Sequence, residues 1–509
     1  MEIRQRDFNN GSYRIQKPGE YLLKHDIIFN PTEDRIDMPK LGWFCVISIE
    51  VTNVILNLNG FSIKFHPDFI ENNIKKYGNH YLTIISLNNT IIPYQSEPSA
   101  DKIINYYFCY KDNIIYDECD DPVDFEFKCA NNIVIKNGCL HNSPRYIING
   151  YFNTGVNIQN IHMSNFELSA IHLLNCSIVN ILNCDIQGLF DQQFSKPNYS
   201  ILQFALYTLK DNILNKKTVL HNKNNPEEHI KVLENILKNY KEQGLNKKCY
   251  SPYNITGIHL GVLQMDKFFL SNECLTECLT ECLTNITDIL IENVKIHNIK
   301  SDVKIVEGIK DNENDLLILG NTIIKWDNVF TNCKFKPNKL SQALAFNMLI
   351  LFYTELSRKY IKLLKSIIYN NNYLFDKICF KEKILLVDRN IPYGNSGIRI
   401  DYGCHIIIKN TKIYDFECIS QKYKCNNFYL KYKNIYDNYC GNDVSGIILN
   451  HTSLEDIIID NVKIHTLHSI YGKMNAINSI LYYGKKEYLP LLYNYCGGIT
   501  INHKINKCN

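Results

Sequence analysis

Asn137, Asn160 and Asn183 stand 23 residues apart, and each closes a copy of one short apolar phrase. The copies run Ile133-x-Ile135-x-Asn137, Val156-x-Ile158-x-Asn160 and Val179-x-Ile181-x-Asn183, each followed three residues on by Leu140, Met163 or Ile186. Apolar residues alternating with others, rich in Ile and Val, predict strands. One strand phrase per fixed period of twenty-odd residues predicts a solenoid whose turns stack on one another. Asn suits the bend that ends each strand, because its amide bonds local backbone and it tolerates left-handed φ. The same amide can bond the Asn of the next turn and form a ladder.

The phrase recurs downstream. Ile289-x-Ile291-x-Asn293-Val294-Lys295-Ile296-His297 matches Ile457-x-Ile459-x-Asn461-Val462-Lys463-Ile464-His465, Ile406-x-Ile408-x-Asn410-x-Lys412-Ile413 is another copy, and Phe330 to Phe335 is a weaker one. A second phrase, a small residue followed by Ile-x-Ile/Leu, starts at Ala170, Gly257, Gly397, Gly446 and Gly498. Both Ala170 to Asn183 and Gly397 to Asn410 span 13 residues, so the two phrases read as consecutive strands of one turn. The fold class is therefore an all-β solenoid, a right-handed parallel β-helix.

Insertions interrupt it. Residues 1–50 read as an N-terminal cap with first strands, 51–190 as coils with an irregular stretch at 64–128, and 191–250 as a helical insertion. In that insertion Asn225 caps, Pro226 opens and Gly244 ends a helix whose apolar face is Ile230, Leu233, Ile236, Leu237 and Tyr240. Coils resume at 251–337, a second helical insertion covers 338–375, and 376–509 holds the last coils with long Tyr- and Asn-rich loops.

The net charge of +3 gives no electrostatic case for nucleic acid, and no basic stripe is visible, so nucleic acid is not an expected partner. The first residues carry no apolar signal region and no stretch is long enough to span a bilayer, so neither secretion nor membrane insertion is expected. Nineteen cysteines in a chain without a signal region imply free thiols in a reducing compartment, and Cys184 and Cys333 fall on core positions of the repeat. The tandem Cys274, Cys278 and Cys282 lack a paired His or CxxC, so no metal site is expected there.

The repeats, together with Gly11-Ser12-Tyr13-Arg14-Ile15, Pro18-Gly19-x-Tyr21-x-Leu23 and Asn53-Val54-Ile55-Leu56-x-Leu58-x-Gly60, resemble the pectin-lyase-like right-handed parallel β-helix superfamily. The Ile/Asn/Lys/Tyr-heavy vocabulary is similar to that of β-helix proteins of mimivirus-like giant DNA viruses. The resemblance implies a location in the host cytoplasm or the virion. It implies no single reaction, because the superfamily contains lyases, hydrolases and proteins that only bind. The catalytic motifs of its polygalacturonases and pectate lyases are missing. Asp120-Asp121 stands before the regular coils, and Arg389 and Pro392 lack the lyase spacing.

Two patches remain as candidates. If Ile171 and Leu173 face inward, His172 faces outward, and the same alternation exposes His259, Arg399 and Asp401 on one flank. The plainer alternative is a set of solvated positions on an outer sheet. The second patch, Asp117, Glu118, Asp120, Asp121, Asp124 and Glu126, is the one place where calcium is weighed against a solvated loop. No other cofactor is expected. The resulting expectation is a non-catalytic structural or glycan-binding protein, with polysaccharide or other virion proteins as partners. The alternatives are a polysaccharide hydrolase or lyase using Asp401 and Arg399, and a virion-assembly protein docking through its inserted helices. A hydrolase would need a second carboxylate about 5 to 10 Å from Asp401.

Overall fold

The computed structural model describes residues 1–9, 11–31, 43–70, 81–88, 130–188, 255–262, 286–303, 395–420, 444–450 and 457–469. It also describes four positions between 231 and 238 and strand backbone at 110–111, 114–115, 472–474, 480–483 and 497–502. Most of this is β-strand, arranged chiefly in two large parallel sheets of 16 and 10 strands.

The chain visits the first sheet twice and the second once per repeat. Within one repeat, Ile133–Ser143 runs along the first sheet, bends at Asn137, and is followed by Tyr146–Tyr151 in the second. The next repeat pairs with it in parallel at the 23-residue offset, Ile133 on Val156 and Ile135 on Ile158, then Val156 on Val179. The downstream copies extend the same ladder: Val179 on Ile289, Ile289 on Ile406, and Ile406 on Ile457. The second phrase builds the second sheet, where Ile171, Ile258, Ile398, Ile447 and Ile499 are successive partners. Inward residues of both sheets form one apolar core. Truncating one of these isoleucines to Ala would cost about 2–5 kcal/mol.

The corner asparagines behave as their chemistry predicts. Asn137, Asn160, Asn183, Asn293, Asn410 and Asn461 all have φ between 48° and 63°. Their amides bond along the stack: Asn160 Nδ2 donates to Asn137 Oδ1 at 3.1 Å, Asn293 to Asn183 at 2.7 Å, and Asn461 to Asn410 at 2.7 Å. The side-chain amides satisfy one another, while the corner backbone N–H groups donate to carbonyls of the next strand, Asn183 to Glu292 at 3.0 Å and Asn293 to Lys409 at 3.1 Å.

One expectation about the strands needs correction. The stretch 64–128 is not wholly irregular: Tyr81–Ser86 is a strand of the second sheet, between Trp43–Ile49 and Tyr146–Tyr151. Its Leu-Thr-Ile-Ile core was too short, and too far from its neighbours in sequence, to show a period. The first strands come in pairs separated by a bend, Gly19–Leu23 with Ile27–Phe29, and Val54–Asn57 with Ser62–Phe65.

Of the first insertion, Lys231, Glu234, Asn235 and Lys238 are helical and exposed, the polar face that the spacing requires, while its apolar positions lie outside the described residues. The second insertion, the acidic stretch 117–126, Cys274, Cys278, Cys282 and Cys333 lie outside them as well. Five described cysteines are free thiols. Cys184 sits in the core, where burial pushes its thiol up to about 11. No helix among the described residues is long and apolar enough to cross a membrane.

Candidate functional site

Strand alternation puts one residue per repeat on the outer side of the second sheet, between the inward Ile and Leu positions. In register these are Ser48, Ser86, Asn149, His172, His259 and Arg399, so six consecutive strands carry a polar row. The row continues as Ile448 and Thr500. His172, His259 and Arg399 are thus direct ladder neighbours, and Asp401 lies two residues beyond Arg399 on the same face.

Exposure is where the expectation fails. Ser48, Ser86 and Asn149 are fully buried and His172 is only 6% exposed. The side chains of His259, Arg399 and Asp401 retain 20%, 17% and 13%. The alternation rule fixes which face a side chain takes, not whether that face meets water. This face is largely covered, so its polar groups need partners.

They have them. Arg399 Nε lies 2.9 Å from Asp401 Oδ2 and donates to Oδ1 at 3.1 Å, and His259 Nε2 lies 3.0 Å from Asp401 Oδ2. Burial alone would raise the Asp401 carboxyl, but the Arg399 charge and the His259 hydrogen bond outweigh it and hold it well below the usual carboxylate range. Burial also lowers the His259 pKa; Asp401 opposes this and Arg399 adds to it, and the net direction is down. A neutral His259 beside an ionised carboxylate carries its proton on Nε2, because the carboxylate only accepts. Nδ1 is then a proton acceptor, with no hydrogen-bond partner among the described residues. Gly261 packs closely against the pair: a Cβ there would come within 3.1 Å of His259 Nε2 and of Leu174 Cδ2, and within 3.5 Å of Asp401 Oδ2.

Towards the other side of His259 the row becomes aromatic. The His172 and His259 rings are 5.0 Å apart, and the Tyr146 ring stacks on His172 at 4.1 Å, only 11° from parallel. Arg145 lies 4.7 Å from the Tyr146 ring centre and donates to the Tyr146 hydroxyl at 3.1 Å. His172 Nδ1 is 2.8 Å from Asn149 Oδ1, whereas Asn149 Nδ2 is buried without a partner among the described residues. Sequence reasoning missed Tyr146, Arg145 and Asn149. A signal existed: Ile147-Ile148-Asn149-Gly150 is the second phrase one period before Ala170, disguised by a large first residue.

At its far end the face holds a separate cluster. Arg14 meets Glu50 with two bonds of 2.7 Å, and Ser48 Oγ donates to Glu50 Oε1 at 2.8 Å. Burial pushes the Glu50 carboxyl up, but Arg14 and Ser48 together pull it below its ordinary value. Glu50 and Asp401 each lie two residues past their row position, on strands five spacings apart. At about 4.8 Å per strand this separates them by roughly 24 Å. A hydrolase pair would need about 5 to 10 Å, so these two carboxylates are not one. Among the described residues no three His, Cys, Asp or Glu side chains are placed to hold a metal ion.

No protein-family model, no curated protein and no solved structure matches this chain.

Proposed function

We propose that the two sheets are faces of a right-handed parallel β-helix of the pectin-lyase-like kind. In this reading the chain is a non-catalytic glycan-recognition protein of a giant virus. Its ligand surface is the partly exposed part of the row, His259, Arg399 and Asp401, with the buried His172 and Tyr146 rings packed behind it. The observation that carries the reading is the make-up of this row: hydrogen-bonding groups beside stacked aromatic rings, with a single carboxylate that is already held by Arg399 and His259. Aromatic faces and fixed polar groups suit sugar recognition, and one neutralised carboxylate does not suit acid–base hydrolysis.

A polysaccharide-degrading activity is the second reading, favoured by His259 Nδ1, which has no hydrogen-bond partner among the described residues. There His259 would act as the base and Asp401 would fix its tautomer, while Arg399 is the cation of the site. A virion-assembly role would instead use the insertion at 338–375, and loss of partner capture on deleting 338–370 would mark it.

The deciding experiment is a glycan-array screen of the purified full-length chain, with every bound polysaccharide assayed for shortened products. Binding without cleavage, weakened at least about tenfold by His172→Ala, is the expected result. Cleavage abolished by Asp401→Asn would replace it with the enzymatic reading. Absence of binding to any glycan would end both.

A further inference from the structure

The sequence shows no basic stripe, yet folding assembles one. On the outer side of the first sheet, Lys295 pairs in register with Lys412, and Lys412 with Lys463. All three are exposed. They are far apart in the chain and become neighbours only because the ladder brings successive copies of the Asn-x-Lys-Ile phrase together. Like charges side by side on adjacent strands are unfavourable unless something neutralises them.

No carboxylate among the described residues forms an ion pair with any of the three. Asp185 is the register partner of Lys295, but its Oδ1 lies 3.0 Å from His297 Nε2 and its Oδ2 3.3 Å from His162 Nδ1. The nearby Glu417 pairs with Lys300 at 3.5 Å. One row over, His297, Tyr414 and His465 stack in series, each ring centre 5.1 Å from the next and within 15° of parallel. This stack stiffens the edge of the lysine row. Its inner ring faces are used against one another.

We infer that the lysine ladder Lys295–Lys412–Lys463 is a binding site for a linear sulfated glycan lying across the strands. Its charges repeat every strand, about 4.8 Å, close to the length of one sugar residue in an extended polysaccharide. Phosphates of one nucleic-acid strand in a duplex repeat at about 3.4 Å, and single strands need open aromatic faces on which to stack; the ladder matches neither. Planar carboxylates are best met by the two-pronged guanidinium of Arg, whereas Lys ammonium groups act as point charges. The ladder contains no Arg, so it offers point charges only; a sulfate half-ester, ionised at every working pH and with three equivalent oxygens, is met by such charges from any direction. The site lies on the other sheet from the His172–His259–Arg399 row and does not depend on it.

The test is binding of the full chain to immobilised dextran sulfate, with unsulfated dextran, polygalacturonate and oligothymidylate as comparators, over a series of salt concentrations. Dextran sulfate should bind best. The triple variant K295Q/K412Q/K463Q should lose at least about tenfold in affinity and flatten the salt dependence by roughly two to three units of slope. Replacing the same three residues with Arg should retain binding, and K24Q, far from the ladder, should change nothing. All three ladder positions are exposed, so circular dichroism should show the variants folded. Undiminished binding by the triple Gln variant would overturn the assignment. Equal or tighter binding of polygalacturonate or oligothymidylate would overturn the choice of sulfate.

Discussion

The two sheets share one repeat and one core but differ in what lies on their outer sides. Strands of the first sheet alternate buried and partly exposed positions, as in Val54–Asn57 and Gly403–Lys409. Strands of the second are buried on both faces in Tyr146–Tyr151 and Ser169–Leu174, and nearly so in Ser396–Asp401. The polar residues of the two outer sides therefore obey different rules. On the first sheet Lys295, Lys412 and Lys463 are exposed, where water screens their mutual repulsion and keeps its cost small. On the second, Arg399, Asp401, His259, His172 and Asn149 sit where desolvation makes partner choice decisive. Sequestered polar groups are where shifted protonation concentrates, which is why the second sheet carries the candidate site.

The largest expected effect tests this contrast directly. Ile448 and Ile458 both take outward positions, but Ile448 is fully buried on the second sheet and Ile458 is 52% exposed on the first. Ile448→Ala should destabilise by about 2–5 kcal/mol in denaturant unfolding, and Ile458→Ala by less than about 0.5 kcal/mol. Equal effects would erase the difference between the sheets.

Ion pairs give the next contrast. Asp401→Ala leaves Arg399 in a mostly covered site and should cost about 2–4 kcal/mol, whereas Asp288→Asn, which removes an exposed charge 3.2 Å from His405 but keeps a side chain that tolerates the left-handed φ of 59°, should cost no more than about 1 kcal/mol. Thermal melts of the two variants would show it.

Acid should act more gently. Burial, helped by the neighbouring His162, lowers His141 from 6.5 to about 4. Its folded value lies below its unfolded value, so the stability present above pH 6.5 is lost as pH falls towards 4. Discounted for partial exposure, the loss is about 1–2 kcal/mol, and His141→Gln should remove that part of the stability-versus-pH curve.

The smallest effect belongs to the corners. Asn160→Ala should cost about 1–2 kcal/mol through the φ of 55° and the lost bond to Asn137. Asn160→Gly should cost less, because Gly accepts that φ freely. A reversed order in urea midpoints would show that the bond, not the backbone, governs the bend.

The strands, their register and the corner asparagines were legible because each is a local pattern repeated. Ile171, Ile258 and Ile398 could be aligned by eye and prove to be ladder partners. His172, His259 and Arg399 followed from the same alignment. Their burial did not, because it depends on what covers the sheet, and no periodicity records that. Asp401 was legible as a neighbour of Arg399, but its bond to His259 joins residues 142 apart. The lysine ladder was hidden for a similar reason: each Lys is unremarkable alone, and only the register converts three separated cations into a row.

The pairing of Thr256 with Ser396 has a further consequence. These residues are adjacent rungs although 140 residues separate them, against 23 between Thr154 and Ser177. Closing the longer loop costs only about 1.6 kcal/mol more on the logarithmic scale of chain entropy. A scaffold whose rungs recognise one another through their own edges can therefore accept foreign sequence at its loops almost without limit of length. Such a chain can diversify by cargo, gaining new segments between rungs while the rungs themselves stay unchanged.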